Sequence, residues 1–397
     1  LIFVVLIISS CSFDNKTGIW RDASNTTLEK YENKSIEENN SDNRYEEIFI
    51  KNETYDEEKK PLNNFKLKLD APTKTNDWTE QYGSKTNNKS NYLYTGYEKL
   101  FSKSPKLNKN SQNSNIVFYK NNLVTYDHKG KIFSYSIDSK KKLFEYDFYK
   151  KKFKNFKKEI FFKFNKNILI AADNLGYVYA INLNTKVLIW AKNYGIPFRS
   201  NIKIVDGQIL LANQDNVIYS LDLRSGVKNW EYQTNLTFLK SDFKNNFAID
   251  ELNKNLFFLN TSGEFYSINY GNKNINWVLN FRNPSLAGDT DLFLSQPIVK
   301  KNDILIVSTE KAILGYEALS GNKKWDFPSN TLVKPVLTTN FTYIISKNNL
   351  LICLENKVGN VLWSKNIYKS LTNKISQKIG KFHDFKIVNN ELSVYTK

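Results

Sequence analysis

One unit recurs along most of this chain and constrains its fold more than any other feature. It consists of an apolar strand, a short polar turn, an alternating strand of the form aromatic-x-hydrophobic, a second turn, and a Trp. The copies are Tyr179-Ala-Ile181 with Trp190, Tyr219-Ser-Leu221 with Trp230, Tyr266-Ser-Ile268 with Trp277, Leu314-Gly-Tyr316 with Trp325, and Ile352-Cys-Leu354 with Trp363. In all five the last residue of the triplet precedes the Trp by nine positions. An earlier copy, Tyr135-Ser-Ile137 with Tyr146, keeps the spacing and replaces the Trp. Successive copies lie 44, 40, 47, 48 and 38 residues apart, the period of one four-stranded propeller blade. Gly226, Gly321 and Gly359 each stand four residues before their Trp, where a hairpin turn needs backbone freedom. The preceding runs Ile168-Leu-Ile170, Gln208-Ile-Leu-Leu211 and Asp303-Ile-Leu-Ile-Val307 are continuous apolar strands of the kind buried on both faces. The spacing therefore predicts an all-β chain, a β-propeller of seven or eight four-stranded blades over residues 65–397.

A linear stack of blades exposes its edges, so the units should close into a ring. Residues 382–397 read as the first strands of one more unit that stops before its Trp. Its missing outer strand is expected from the N-terminal side, near Tyr97 to Ser104, and residues 65–115 are expected to form an eighth, degenerate blade if there is one. Trp190, Trp230, Trp277, Trp325 and Trp363 are read as structural, wedging each blade against its neighbour, with cofactor stacking as the alternative use of such a repeat.

The chain contains no Met, which places the start of translation upstream. Leu1 to Ile8 is apolar but too short to span a bilayer, and suits the core of a secretory signal over residues 1–10. Ile8-Ser9-Ser10-Cys11 resembles a bacterial lipobox, making Cys11 the lipidation site; the alternative is a buried strand ending in an ordinary Cys. Residues 11–64 are polar with little apolar periodicity and read as a disordered tether, spanning roughly 40 Å as a flexible coil. Cys353, within Leu350-Leu-Ile-Cys-Leu354, then has no partner and reads as a small core hydrophobe.

The formal charge of +17 raises nucleic acid or an anionic surface as a partner. Only Arg21, Arg44, Arg199, Arg224 and Arg282 among the 57 basic residues are arginines, and arginine supplies most bidentate base and phosphate contacts. Residues 12–60 hold 13 acidic and 8 basic residues, so the excess positive charge is spread as lysine over the remaining loops, and no nucleic-acid partner is expected. His128 and His383 are the only histidines and have no metal-ligand spacing. No GxSxG elbow, P-loop or GxGxxG occurs. No catalytic residue, metal or cofactor is assigned.

The repeat resembles that of the pyrroloquinoline-quinone-type propellers, and within that broad family the BamB-type outer-membrane assembly lipoproteins. Beyond the generic repeat, three segments carry the resemblance: Asp70-Ala-Pro-Thr-Lys-Thr-Asn-Asp-Trp78 followed by Thr-Glu-Gln-Tyr-Gly83, Leu221-Asp-Leu-Arg-Ser-Gly-Val-Lys-Asn-Trp230, and the truncated strands after Phe382. The resemblance implies a non-catalytic scaffold, lipid-anchored on the periplasmic face of the outer membrane. Its implied partners are the large barrel-inserting subunit of the assembly machinery and unfolded outer-membrane precursors. It also implies contact loops after two neighbouring blades: Leu236-Thr-Phe-Leu-Lys240, with Leu236, Phe238, Leu239 and Lys240, and Asp289-Thr-Asp291. Lys240 stands where the family has Arg, and Asp289 and Asp291 lie further from Pro297 than the family pattern. Read from the residues alone, the apolar side chains serve either an exposed anchor or the next strand's core, and the aspartates either a contact or a solvated turn. Two other readings stay open: a quinone-dependent dehydrogenase-like propeller, which shares this repeat, and a propeller binding a small ligand or glycan in its channel.

Overall fold

The computed structural model describes residues 54–396 apart from 64–66, 76, 97–102, 111–114, 150–152, 154, 237–243, 282–292 and 370–379, together with two short strands near the N-terminus. Those strands, Ser12–Phe13 and Trp20–Arg21, pair antiparallel within a compact unit of their own, Leu1–Lys51. Everything below concerns the second unit, Asn52–Lys397.

Six four-stranded antiparallel sheets follow one another, each a meander in which every strand bonds the next in sequence. We number them blades 1 to 6: 117–146, 160–193, 203–233, 246–280, 299–327 and 336–366. A seventh is built on Phe382–Val388 and Glu391–Thr396, to which Tyr92 adds by a parallel bridge to Val388 and Thr73 by a parallel bridge to Tyr92. The first strand of each blade packs beside the first strand of the next, from Val117–Tyr119 round to Phe382–Val388, so the blades stand radially with their first strands at the centre. The continuous apolar runs are buried as their pattern requires: Ile304–Ser308 and Asn255–Leu259 are buried at every position. The core lies between blades. Phe247, Ile249, Leu256 and Phe258 of blade 4, for example, cluster with Leu210, Ala212 and Ile218 of blade 3.

Three of the tryptophans reach the following blade, by a mechanism the spacing alone does not show. The Trp325 indole donates to the Asn356 carbonyl of blade 6 (2.8 Å), and its ring lies against Gly359, where an added Cβ would sit 2.7 Å from Trp325 atoms. Trp277 and Gly321 repeat the arrangement, as do Trp190 and Gly226. Each of these glycines has a positive φ, +67° to +76°, so it both makes the turn and leaves room for the preceding blade's Trp. In blade 4 that turn position is held by Lys273 (φ 70°), and Trp230 of blade 3 turns instead to Gln208 Oε1, 3.3 Å away. Lys273→Gly is expected to relieve a left-handed lysine and stabilise the protein by about 1 kcal/mol, read as a higher urea midpoint.

Two expectations are corrected. In blade 1 the residue in the Trp register is Phe144, not Tyr146: Ser134 pairs with Phe144 just before the bulge that in other blades precedes the Trp. The aligned triplet is therefore Phe133-Ser-Tyr135, one turn of the pleat earlier than the aromatic spacing indicates. Residues 54–60, composed like a tether, lie along the outer strand of blade 6. There Lys59 exchanges backbone bonds with Ser364 (3.1 and 2.9 Å) and the Tyr55 ring packs on Phe327. The described residues between 65 and 115 contain no four-stranded sheet. Residues 103 and 104 of the anticipated outer strand have no strand pairing, and 97–102 lie outside the described residues.

Candidate functional site

Inner strands of a radial array leave one backbone edge unpaired at the axis, and such groups need partners when buried. Here residues 77–92 supply them, touching all seven blades in order. Trp78 exchanges N–H and carbonyl bonds with Phe118 of blade 1 (both 2.7 Å) and Thr79 accepts from Phe164 N of blade 2 (2.8 Å). Lys203 Nζ of blade 3 donates to the Ser84 carbonyl (2.8 Å). Ile249 N of blade 4 donates to the Lys85 carbonyl (2.9 Å) and Lys300 N of blade 5 to that of Thr86 (3.0 Å). The Asn87 amide reaches the Phe247 and Ile298 carbonyls (2.6 and 2.8 Å). That of Asn88 bonds both the carbonyl and N–H of Leu337 in blade 6 (2.9 and 3.1 Å). Tyr92 N donates to the Ile387 carbonyl, and the Tyr92 carbonyl accepts from Asn389 N of blade 7 (both 2.9 Å). The segment thus runs through the centre of the ring and fastens blade 7 to blade 1.

Charge is buried at this centre. Glu80, 3% exposed, holds Lys163 Nζ (2.8 Å) and Lys203 Nζ (2.6 Å), one on each carboxylate oxygen. Burial pushes the Glu80 carboxyl up, but the two ammonium groups outweigh it and hold it below its ordinary range. Burial pulls Lys203 down to about 8 against the attraction of Glu80. Asp250 and Lys300 make a second buried pair at 3.0 Å. A lysine inside an apolar strand, as in Ile160-Phe-Phe-Lys-Phe164, was the available signal for these pairs, since a buried ammonium needs an anion. The asparagines gave none, because their partners are carbonyls more than 150 positions away in sequence.

Of the residues assigned to a partner surface, Leu236 stands 59% exposed after the outer strand of blade 3. Phe238, Leu239, Lys240, Asp289 and Asp291 lie outside the described residues, as does Cys11. Cys353 is buried in the blade 6 core and burial pushes its thiol up to about 12. Among the described residues no group of three or more His, Cys, Asp and Glu is placed to hold a metal ion, and no helix is long and apolar enough to cross a membrane.

No curated protein matches the chain in sequence. Among solved structures it resembles BamB from Moraxella catarrhalis, with a TM-score of 0.52 and 14% identity over 69% of this chain and 78% of that one. It also resembles a europium-containing methanol dehydrogenase, with a TM-score of 0.50 and 13% identity over 64% and 68%. At such identities these two likenesses speak for the shared propeller and not for its use. The sequence pattern of one family, described as outer membrane protein assembly factor BamB, matches residues 128–365. That span runs from the first blade to the outer strand of the sixth, and the chain accordingly belongs to the BamB-type family of PQQ-like propeller repeats.

Proposed function

We propose that this chain is a non-catalytic scaffold of outer-membrane β-barrel assembly, held on the periplasmic face of the outer membrane by an acylated Cys11. It binds the barrel-inserting subunit and presents unfolded precursors to it. Membership of the assembly-factor family carries the reading. The centre supports it, because the chain's own residues 77–92 bond to the inner strands of all seven blades, which directs a large protein partner to the loops and outer edges. Leu236 offers an exposed apolar anchor, with Phe238, Leu239 and Lys240 following it and Asp289 and Asp291 on the next connection.

Precursors are held by strand addition, which gives backbone affinity with little sequence preference. The chain contains a precedent: residues 57–59 add to the outer strand of blade 6 through Ser364. The outer strands Val187–Asn193 and Ile275–Asn280 present exposed Val187, Ile189, Ile275 and Val278, apolar side chains of the kind an extended apolar segment covers.

The test is co-purification from native membranes, comparing the parent with a Leu236→Ala/Phe238→Ala/Lys240→Ala variant. The parent should recover a large outer-membrane barrel protein and the variant should lose most of it. A parent that recovers no barrel protein overturns the scaffold reading, and equal recovery by the variant moves the interface elsewhere.

A further inference from the structure

Every deeply buried lysine at the centre of the ring has a carboxylate: Lys163 and Lys203 share Glu80, and Lys300 has Asp250, all within 3.0 Å. Two part-buried lysines have no such partner. Lys334 and Lys89 line a cavity of about 660 Å³ bounded by the central segment, by blades 1, 2, 6 and 7 and by the connection leading into blade 5. Lys334 Nζ donates only to the carbonyl of its own neighbour Pro335 (3.2 Å), and Lys89 Nζ only to Thr75 Oγ1 (3.3 Å). Neither has an ion-pair partner among the described residues. A third lysine of the cavity, Lys386, is already engaged, 3.4 Å from Asp384 and 4.4 Å above the Trp78 ring.

Ammonium groups held away from bulk water without a counter-charge are costly. Burial pulls Lys334 down to about 8, with Asp384 opposing the shift and Lys386 and Lys203 adding to it; Lys89 is lowered by the same cause. The remaining walls include Trp78, Phe161 and Phe162, and the volume is that of a small-molecule site. Two unpaired cations on an aromatic-walled cavity define the complementary ligand: an anionic head for the lysines and a flat or apolar body for the rings.

We propose that this cavity is a binding site for a small organic anion, a carboxylate or phosphate ester, whose charged end is held by Lys334 and Lys89. The site is independent of the scaffold reading, and its failure would leave that reading untouched. Calorimetric titration of the full chain with benzoate, phenyl phosphate and inorganic phosphate tests it. Saturable one-to-one binding of benzoate or phenyl phosphate is expected, and which of the two binds more tightly identifies the head group. Lys334→Met and Lys89→Met should each weaken binding at least tenfold, while Lys357→Met, on an exposed turn of blade 6, should leave it unchanged. Thermal unfolding of each variant establishes that it is folded. No saturable binding by the folded parent, or undiminished binding by a folded Lys334→Met chain, overturns the proposal. Equal affinity for inorganic phosphate and phenyl phosphate overturns its organic half, because the aromatic walls would then contribute nothing.

Discussion

Glu80→Leu is expected to destabilise the ring by about 3–5 kcal/mol, the usual cost of removing one partner from a buried ionic cluster. The carboxylate is the only anion bonded to Lys163 and Lys203 among the described residues, so its loss strands two ammonium groups where water does not reach. The cost lies in those stranded charges, so removing them should relieve it. The triple variant Glu80→Leu/Lys163→Met/Lys203→Met should recover most of the stability in urea unfolding, since well-packed apolar groups replace buried ion pairs at little or no net cost. A triple variant as unstable as the single one would show that geometry, and not charge, is what Glu80 supplies.

The same cluster sets a pH dependence. Glu80 is held below its ordinary value of 4.5, so between the folded and unfolded values the unfolded chain binds more protons. Its contribution is present in full above about 4.5 and is lost as pH falls through the folded value. The parent should lose stability in acid more steeply than the triple variant.

Trp325→Ala should cost about 3–5 kcal/mol, the range for truncating a large buried aromatic. Trp325 is 6% exposed, packs against glycines of two different blades, Gly315 and Gly359, and donates its indole N–H to a third position, the Asn356 carbonyl. Its removal opens a cavity and leaves that carbonyl short of a donor. Trp230→Ala should cost markedly less, because that side chain is only part-buried and its indole bonds Gln208 of its own blade, not the next blade's turn. Equal losses in the two variants, measured by urea midpoint, would show that the inter-blade seat contributes nothing special.

The blades were legible because they are local. A strand buried on both faces must be apolar at every position, a hairpin must find a residue that tolerates positive φ, and a wedge between blades must be large and flat. Each requirement repeats every 38 to 48 residues in the chain, and repetition separates it from chance. Even the misplacement in blade 1 is instructive. Lys141-Lys-Leu-Phe-Glu-Tyr146 offers two aromatics, and only the pairing of Ser134 with Phe144 decides which one faces the neighbouring blade.

The centre was not legible from sequence. Residues 77–92 contain a run of asparagines, a Glu and lysines that composition assigns to the surface, yet Asn87, Asn91 and Glu80 are almost wholly buried. Their burial is permitted only because seven inner strands, drawn from positions 117 to 388, present unpaired edges at one axis. By itself, then, the sequence determined the strand units, their number to within one and the family. The tertiary structure alone decided that residues 77–92 join the inner strands of the ring at its centre. It also decided which lysines are paired and which face an open cavity. The physical reason is that burying a polar group depends on partners far along the chain, whereas burying an apolar strand depends chiefly on the strand itself.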